Sequence, residues 1–448
     1  MHIPAGCVII YITHKHPVGT KEVTMYKTTV NRMKLKGDSL EIVRELTHNS
    51  KNLYNATLYA TRQHFFNTSR FLTYNQAYHV MKNSEEYKSL PAQAAQQTMK
   101  VVERNFKSFF GVLREKKKGN YNRPASIPKY LPKDGKFVAI FPKAHIRFDK
   151  KLGKHYLTIP TYLKERFKVK GLFIDIPEFI DASQLKEIRI NPTGSFYRME
   201  YVYRVDDTPV EHVDNGNFLS IDLGISNLAT MVNNVDNQPI IVNGGEIKSI
   251  NRYFNKKIGA KKSYTKKHNG TYKSQAVSRL HQKRDDILKD AFHKLSLWII
   301  RYCQQRDIST IIVGYNKEWK QNVNLGKKNN QNFVQIPFGK LISYLEYKGA
   351  LCGIKVVLQE ESYTSKCDAL ALESVEKHER YLGKRVHRGL FRSSIGKVIN
   401  ADVNGAVNIA RKCKGEETNP WVRSLAHSGC VYQPVKVSIG QLPKPPLL

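Results

Sequence analysis

The sequence predicts an α+β multidomain protein: an N-terminal β-barrel with an inserted helical domain, followed by an α/β domain. Three observations carry this. A chain of 448 residues exceeds what one core supports and suggests two to four domains. Its hydrophobic period changes from strand-like to helical near residue 41, back to strand-like near 136, and to alternating strands and helices after about 211. With 41% hydrophobic and 25% charged residues, it can bury a core and reads as soluble.

In order, residues 1–40 supply the first part of the barrel, with a strand in "VTMYKTTVNRMKL". "CVIIYI", Cys7 to Ile12, is too short to span a membrane, and no small-residue cleavage site follows it. Met25 offers an alternative start that would make the first 24 residues unimportant. Residues 41–124 form the helical block. There, apolar positions at or near 98, 102, 106, 109 and 110 mark a helix ending in Lys116-Lys117-Lys118-Gly119. "YNRPASIPKYLPKDGK" reads as a linker or extended segment. Residues 125–210 complete the barrel with "FVAIFPKAHIRF", "LFIDIP" and "KEIRINPTGSFYRMEYVYRV".

Residues 211–412 alternate strand and helix. "NFLSIDLGI" and "LATMVNN" pair around Gly224. A long amphipathic helix, "SRLHQKRDDILKDAFHKLSLWIIRYCQQR", leads into "STIIVGYN". "IPFGKLISYLEYKGALCG" is a helix closed by Gly353, "IKVVLQEESYTS" is the next strand, and "NADVNGAVNIARKC" is the last helix. Residues 413–448 read as an irregular tail.

Charge narrows the function. Lys and Arg number 73 against 38 Asp and Glu, a net charge of +35, and the pI is about 9.8. Such an excess favours a polyanion through counterion release and points to nucleic acid. The plainer alternative is a ribosome-associated or merely basic protein. Six cysteines stand far apart with no CxxC, which predicts free thiols and a reducing compartment. No membrane partner is expected.

Against this background three acids stand out. Asp222 lies in "SIDLGI", inside a strand just before Gly224, where a carboxylate is costly to bury without a cation or hydrogen bonds. The alternative is an Asp bonding its own turn. Asp402 lies in a first helical turn, where acids also complement the helix dipole. Glu360 and Glu361 follow "KVVLQ", and in a strand they would point to opposite faces, so one of them joins any site. Their alternative is a solvated strand end. Taken together, the acids match the RNase H-fold arrangement. In that fold, carboxylates hold two Mg²⁺ ions that hydrolyse a phosphodiester.

The segments "SIDLGISNLAT", "IIVGYNKEWKQ", "LGKKNNQNFVQIPF", "EESYTSK" and "INADVNGAVNIARK" resemble the transposon-encoded TnpB family and its Fanzor relatives. "NSKNLYNATLYATRQ" and "PAQAAQQTMKVVERNFKSFF" extend a weaker likeness toward the N-terminus. The resemblance implies an RNA-guided DNA endonuclease with one RuvC-like nuclease domain, and a wedge-type barrel and helical recognition domain that bind RNA and DNA. It further implies a transposon-derived guide RNA, a target double-stranded DNA with a short flanking motif, two Mg²⁺ ions and a monomeric ribonucleoprotein. The compartment is the nucleus in a eukaryotic or viral host, and the cytoplasm or nucleoid in a bacterium.

Two departures qualify it. The family's second catalytic acid usually follows the strand corresponding to "TIIV", where this chain has Gly314. A subgroup that includes the Fanzor proteins relocates that acid to three residues before the Thr-Ser pair, which the resemblance places at Glu361 here; Glu318 lies nearer Gly314 but beside Trp319 in a loop. The implied catalytic and metal-binding set is therefore Asp222, Glu361 and Asp402. The family's zinc ribbon is also missing its paired CxxC motifs. "CDALALESVEKHERYLGKRVHRGLFRSSIGKVI" keeps Cys367, with His378 and His387 the other soft ligands, so no structural zinc is expected.

From Ile247 to Arg284 there is no Asp or Glu. Lys256, Lys257, Lys261, Lys262, Lys266 and Lys267 are interleaved there with Tyr253, Phe254, Tyr264 and Tyr272, as phosphate contacts among stacking aromatics would be. A solvated face or a nuclear localisation signal is the alternative. Lys327 and Lys328, in "WKQNVNLGKKNNQNF", form a second candidate contact with nucleic acid. Two other functions stay open: a nuclease-inactive RNA-guided DNA-binding protein, motivated by Gly314, and a DDE-type transposase, which also uses three acids on an RNase H fold.

Overall fold

A computed structural model describes residues 7–11, 25–194, 196–205, 210–316, 336–387 and 389–442, with residues 7–11 and 25 described by their backbone. The chain divides into two compact units, Met1–Asp206 and Asp207–Leu448.

In the first unit, β1 (Cys7–Tyr11), β2 (Met25–Arg32), β8 (Phe196–Val205), β7 (Leu185–Thr193) and β3 (Ala139–Pro142) form one sheet in the order β1-β2-β8-β7-β3. β1 is an edge strand within the stretch that an alternative start at Met25 would have set aside. β2 pairs with β8 along its whole length, from Met25↔Val205 to Arg32↔Arg198. The chain leaves the sheet after β2, builds a helical block and returns. That block is α1 (Gly37–Thr68), α2 (Tyr74–Met81), α3 (Glu85–Lys88) and α4 (Ala92–Lys117). Burial on α1 at Ile42, Leu46, Leu53, Leu58 and Thr61 follows helical spacing. Thr73 and Gln76 close a reciprocal cap on α2. Helices and sheet share one core that includes Leu46, Met99, Phe141, Ile188 and Tyr201.

β4 (Ile146–Asp149), β5 (Lys154–Leu157) and β6 (Leu172–Ile174) form a separate three-stranded sheet, with α5 (Thr161–Phe167) between β5 and β6. The hydrogen bonds therefore leave two open sheets where the sequence suggested one barrel. β3 has four residues, and the Asp149 side chain turns the chain back by accepting from the amides of Lys151 and Leu152. β4 pairs with β5 and leaves the larger sheet unextended.

The second unit is built on β9 (Phe218–Leu223), β10 (Asn227–Asn233), β11 (Ile240–Asn243), β12 (Thr310–Gly314), β13 (Lys355–Gln359) and β17 (Val435–Ser438), in the order β13-β12-β9-β10-β11-β17. β9, β10 and β11 form an antiparallel meander. β12 lies parallel to β9, and β13 parallel to β12. Helices α6 (Gly245–Asn269), α7 (Gln275–Gln305) and α8 (Phe338–Ala350) lie between strands. β14 (Lys384–His387), β15 (Leu390–Arg392) and β16 (Val398–Asn400) form a small sheet ahead of α9 (Ala401–Lys414) and α10 (Asn419–His427).

Strand alternation divides the work of β9. Leu219, Ile221 and Leu223 join a core with Phe292 and Leu295 of α7 and Leu341 and Leu345 of α8. Ser220 and Asp222 face the opposite way, where Ser220 Oγ donates to the Ala406 carbonyl of α9 at 2.6 Å.

Two expectations are corrected here. The tail after residue 412 contributes α10 and β17, and β17 pairs in parallel with β11, because Val435 and Val437 alternate in a strand too short to stand out in the sequence. β13 is an edge strand with Leu358 43% exposed, and Glu360 and Glu361 lie just past its end. Among the described residues no helix is long and apolar enough to cross a membrane.

Candidate carboxylate site

Asp222 sits on the α9 side of β9, opposite Thr230 of β10. It does not cap its own turn, since the Gly224 amide donates to the Leu228 carbonyl at 3.4 Å. Instead its carboxylate comes up under α9 at Gly405, where a Cβ would stand 2.6 Å from Asp222 Oδ2. Glycine is the residue that lets helix and carboxylate approach this closely. Burial, and then the charge of Asp402, push the Asp222 pKa well above the carboxylate range, with Arg385 opposing.

The two adjacent glutamates diverge. Glu360 accepts from Lys412 Nζ at 2.6 Å and from the Ser362 amide at 2.8 Å, and its side chain is half exposed. Glu361 turns inward over Gly314. A methyl at Gly314 would overlap the Glu361 carboxylate and meet Ile409 Cδ1 at 2.5 Å. The space that a side chain at position 314 would fill holds the carboxyl group of Glu361. Its Oε1 is buried and has no hydrogen-bond partner. Burial raises the Glu361 pKa, and the charges of Asp222 and Glu360 raise it further.

Asp402 is placed by its cap. Asn400 accepts from the amides of Asp402 (2.9 Å) and Val403 (3.3 Å), starting α9 so that Asp402 falls in the first turn. Asn227 Nδ2 donates to Asp402 Oδ2 at 2.7 Å. Arg385 of β14 lies 3.9 Å from Oδ1, and the Asp402 side chain keeps 34% exposure.

The structure thus brings the three predicted acids into one neighbourhood, with Asp222 interacting with both others. Among the described residues no group of three or more His, Cys, Asp or Glu side chains is placed to hold a metal ion. The chemistry of Asp222 and Glu361 is nevertheless that of ligands to a hard cation: two carboxylates made costly to ionise by burial and by neighbouring charge, one with an orphaned oxygen.

Sequence reasoning missed the side chains that hold the loop after Glu361. Asn408 Nδ2 donates to the carbonyls of Thr364 (2.9 Å) and Cys367 (2.7 Å). Asn404 donates to the Cys367 carbonyl at 2.8 Å and accepts from the Ala369 amide at 3.1 Å. Arg411 donates to Asn408 and to the Glu373 carbonyl, both at 2.8 Å. Their spacing of four and three residues was the available signal. This ladder pins a loop in which Tyr363 and Leu372 adopt φ of 67° and 58°.

The soft ligands named from sequence stay apart. The Cys367 thiol donates to the Glu376 carbonyl at 3.5 Å, and His378 Nε2 lies 2.8 Å from the Ser374 carbonyl. The small sheet is tied instead by buried Asp368, which accepts from Ser393 Oγ (2.8 Å) and from the amide (2.6 Å) and hydroxyl (3.1 Å) of Ser394. Cys303, Cys352, Cys367, Cys413 and Cys430 are free thiols.

The basic run forms α6 and the start of α7. Ile247, Phe254 and Ile258 are buried on α6, and Phe254 and Ile258 pack with Val277 of α7. Lys256, Lys257, Lys266 and Lys267 are exposed, while Lys261 and Lys262 are partly so. Lys257 and Lys261 lie over the rings of Tyr253 and Tyr264, each at 4.6 Å. Lys327, Lys328 and Glu318 lie outside the described residues.

Residues 200–320 match the OrfB_IS605 family, described as "Probable transposase". Residues 338–409 match the "Cas12f1-like, TNB domain". The chain is 24% identical over 431 residues to "TnpB-like protein ORF457" of Acidianus two-tailed virus, covering 89% of each. It is 21% identical over 343 residues to "Putative RNA-guided DNA endonuclease InsQ" of Escherichia coli (strain K12), covering 73% of this chain and 77% of InsQ. It is 27% identical over 291 residues to Cas12f2 of a Micrarchaeota archaeon, covering 60% of this chain and 52% of Cas12f2. The fold is similar to that of Cas12f1 in a cryo-EM complex with sgRNA and target DNA, with a TM-score of 0.50 at 15% identity over 83% of this chain and 82% of that one. Two matched family domains and relatives along most of its length agree: the chain is similar to the TnpB family.

Proposed function

We propose that this protein is an RNA-guided DNA endonuclease that hydrolyses phosphodiester bonds at the Asp222, Glu361 and Asp402 carboxylates. The observation that carries the reading is Glu361, whose carboxyl fills the space over Gly314 beside Asp222 and leaves one buried oxygen unpartnered. The names of InsQ and Cas12f2 describe an RNA-guided DNA endonuclease and a CRISPR-associated endodeoxyribonuclease, which supports the same reading.

Asp222, Glu361 and Asp402 would hold two Mg²⁺ ions, which supply water activation and leaving-oxygen stabilisation for an in-line displacement. The chain's own residues prepare the acids for this. Asn227 orients Asp402 through its Oδ2. Gly405 admits the Asp222 carboxylate against α9, and the Asn404–Asn408–Arg411 ladder fixes the loop that carries Glu361. The guide RNA and guide–target duplex would run along the lysines of α6 and α7, with sequence read by base pairing and a short flanking motif by the protein. No structural zinc is invoked, since Asp368 ties the small sheet through hydrogen bonds.

Purified protein loaded with RNA transcribed from its own locus is offered a plasmid carrying the guide-matched target beside randomised flanks, in Mg²⁺ or in EDTA. Guide-dependent cutting in Mg²⁺, lost in EDTA and in Asp222→Ala, Glu361→Ala and Asp402→Ala, is expected. Matched binding without cutting in Mg²⁺ would favour the second reading, a nuclease-inactive RNA-guided DNA-binding protein. The absence, among the described residues, of any three-ligand group placed to hold a metal ion is the observation on its side.

A further inference from the structure

One face of the β4–β5–β6 sheet carries side chains that keep solvent exposure. Its register sets Arg147, Tyr156 and Phe173 in a row across the three strands, Arg147 opposite Tyr156 and Tyr156 opposite Phe173. Alternation places the neighbours Ile146, Leu157, Leu172 and Ile174 on the other face, where Leu157, Leu172 and Ile174 are buried. The outward row stays open. Arg147 is exposed, Phe173 is 38% exposed and Tyr156 is half-buried.

The two rings are set in place. Their centroids are 5.7 Å apart at 53°. A Cβ at Gly171 would stand 2.5 Å from Tyr156 Cδ2, so the ring lies against bare backbone. Lys170 Nζ sits 5.2 Å from the Tyr156 centroid and pairs with Asp149 at 2.8 Å. Charge surrounds the row. From Lys143 to Lys170 there are nine Lys and Arg and two acids, and one of those, Asp149, is taken up by Lys170 and by its own turn.

Partly exposed aromatics aligned across adjacent strands of an open sheet, with a guanidinium in the row and a cationic rim, are what unpaired bases require. Rings stack on the bases while the cations meet the phosphates. We propose that this face is a stacking platform for an unpaired stretch of the guide RNA, with Tyr156 and Phe173 as the ring contacts and Arg147 as the planar cation beside them. The proposal rests on the RNA-guided reading. A duplex offers its bases no such access, so the platform selects single strands.

The test uses the full chain and two probes: a short oligouridylate carrying 4-thiouridine, and an RNA duplex of the same length. Tyr156→Leu and Phe173→Leu keep apolar side chains in the sheet, and their melting curves report whether it stays folded. Each is expected to weaken oligouridylate binding roughly tenfold, leaving duplex binding unchanged. Thiouridine cross-links should map to peptides containing Tyr156 or Phe173. Unchanged single-strand affinity, an equal loss for the duplex, or cross-links confined to α6 and α7 would overturn the platform. Binding of the locus RNA by the wild-type protein keeps the two readings apart, since its failure would sink RNA guidance itself.

Discussion

Asp222 and Glu361 hold protons more tightly in the folded protein than in an unfolded chain, because burial and mutual repulsion penalise their charged forms. A carboxylate with a raised folded pKa lowers stability progressively as pH climbs from its unfolded value, near 4, through its folded one. The metal-free protein should therefore lose stability between mildly acidic pH and pH 8. Asp222→Asn removes that charge, so in EDTA its Tm should exceed that of the wild type by about 2–4 °C at pH 8, with a smaller gain at lower pH. Mg²⁺ should raise the wild-type Tm and leave the variant unmoved. A Tm difference that is flat with pH, or equal responses to Mg²⁺, would mean that these carboxylates do not repel one another. The acids themselves were legible in the sequence, Asp222 from its place before Gly224 and Asp402 from a first helical turn. Glu361 was legible through resemblance and spacing. The roles of Gly314 and Gly405 were not, because the side chain that occupies the space over a glycine comes from another element.

At the scale of the element, α9 shows why half of a helix can be misread. Its apolar stripe, Ala406, Ile409 and Ala410, was plain in the sequence. Asn404, Asn408 and Arg411 resemble a solvated face, yet Asn404 and Asn408 are fully buried against the 364–373 loop. Polar groups are buried when they satisfy one another, and their partners here are backbone carbonyls, which leave no trace in a sequence. The basic run of α6 hid its helix in the same way, since its charges drew attention from buried Ile247, Phe254 and Ile258. On the proposed reading Asn408 is a positioning residue for Glu361, acting through the carbonyls of Thr364 and Cys367. Asn408→Ala leaves the carbonyls of Thr364 and Cys367 without their donor and should cost roughly 1–3 kcal/mol of stability. At a temperature where the variant stays folded, cutting at saturating DNA should fall while the affinity for matched DNA holds. A loss of affinity in step with cutting would reduce Asn408 to a general structural role.

Over the whole molecule, a net charge of +35 sets the terms of association. So large a charge repels itself, and a bound polyanion relieves that repulsion while releasing counterions, so affinity should fall steeply with salt. If α6 carries part of that contact, changing Lys256, Lys257, Lys261, Lys262, Lys266 and Lys267 to Gln must lower the slope of log affinity against log salt as well as the affinity. Each phosphate contact removed is worth about 0.7–0.9 in that slope. Filter binding of the locus RNA across a salt series separates the possibilities. A slope lower by roughly four to five means that all six lysines meet phosphate, and a smaller drop counts those that do. Reduced affinity with an unchanged slope would point to altered folding of the α6–α7 pair, whose small core of Phe254, Ile258 and Val277 lies beneath these lysines. With neither changed, α6 is a solvated face and the polyanion binds elsewhere. In the expected case, residual cutting at saturating RNA should keep its Mg²⁺ requirement, because the cations that gather nucleic acid and the carboxylates that would cleave it are separate parts of one basic protein.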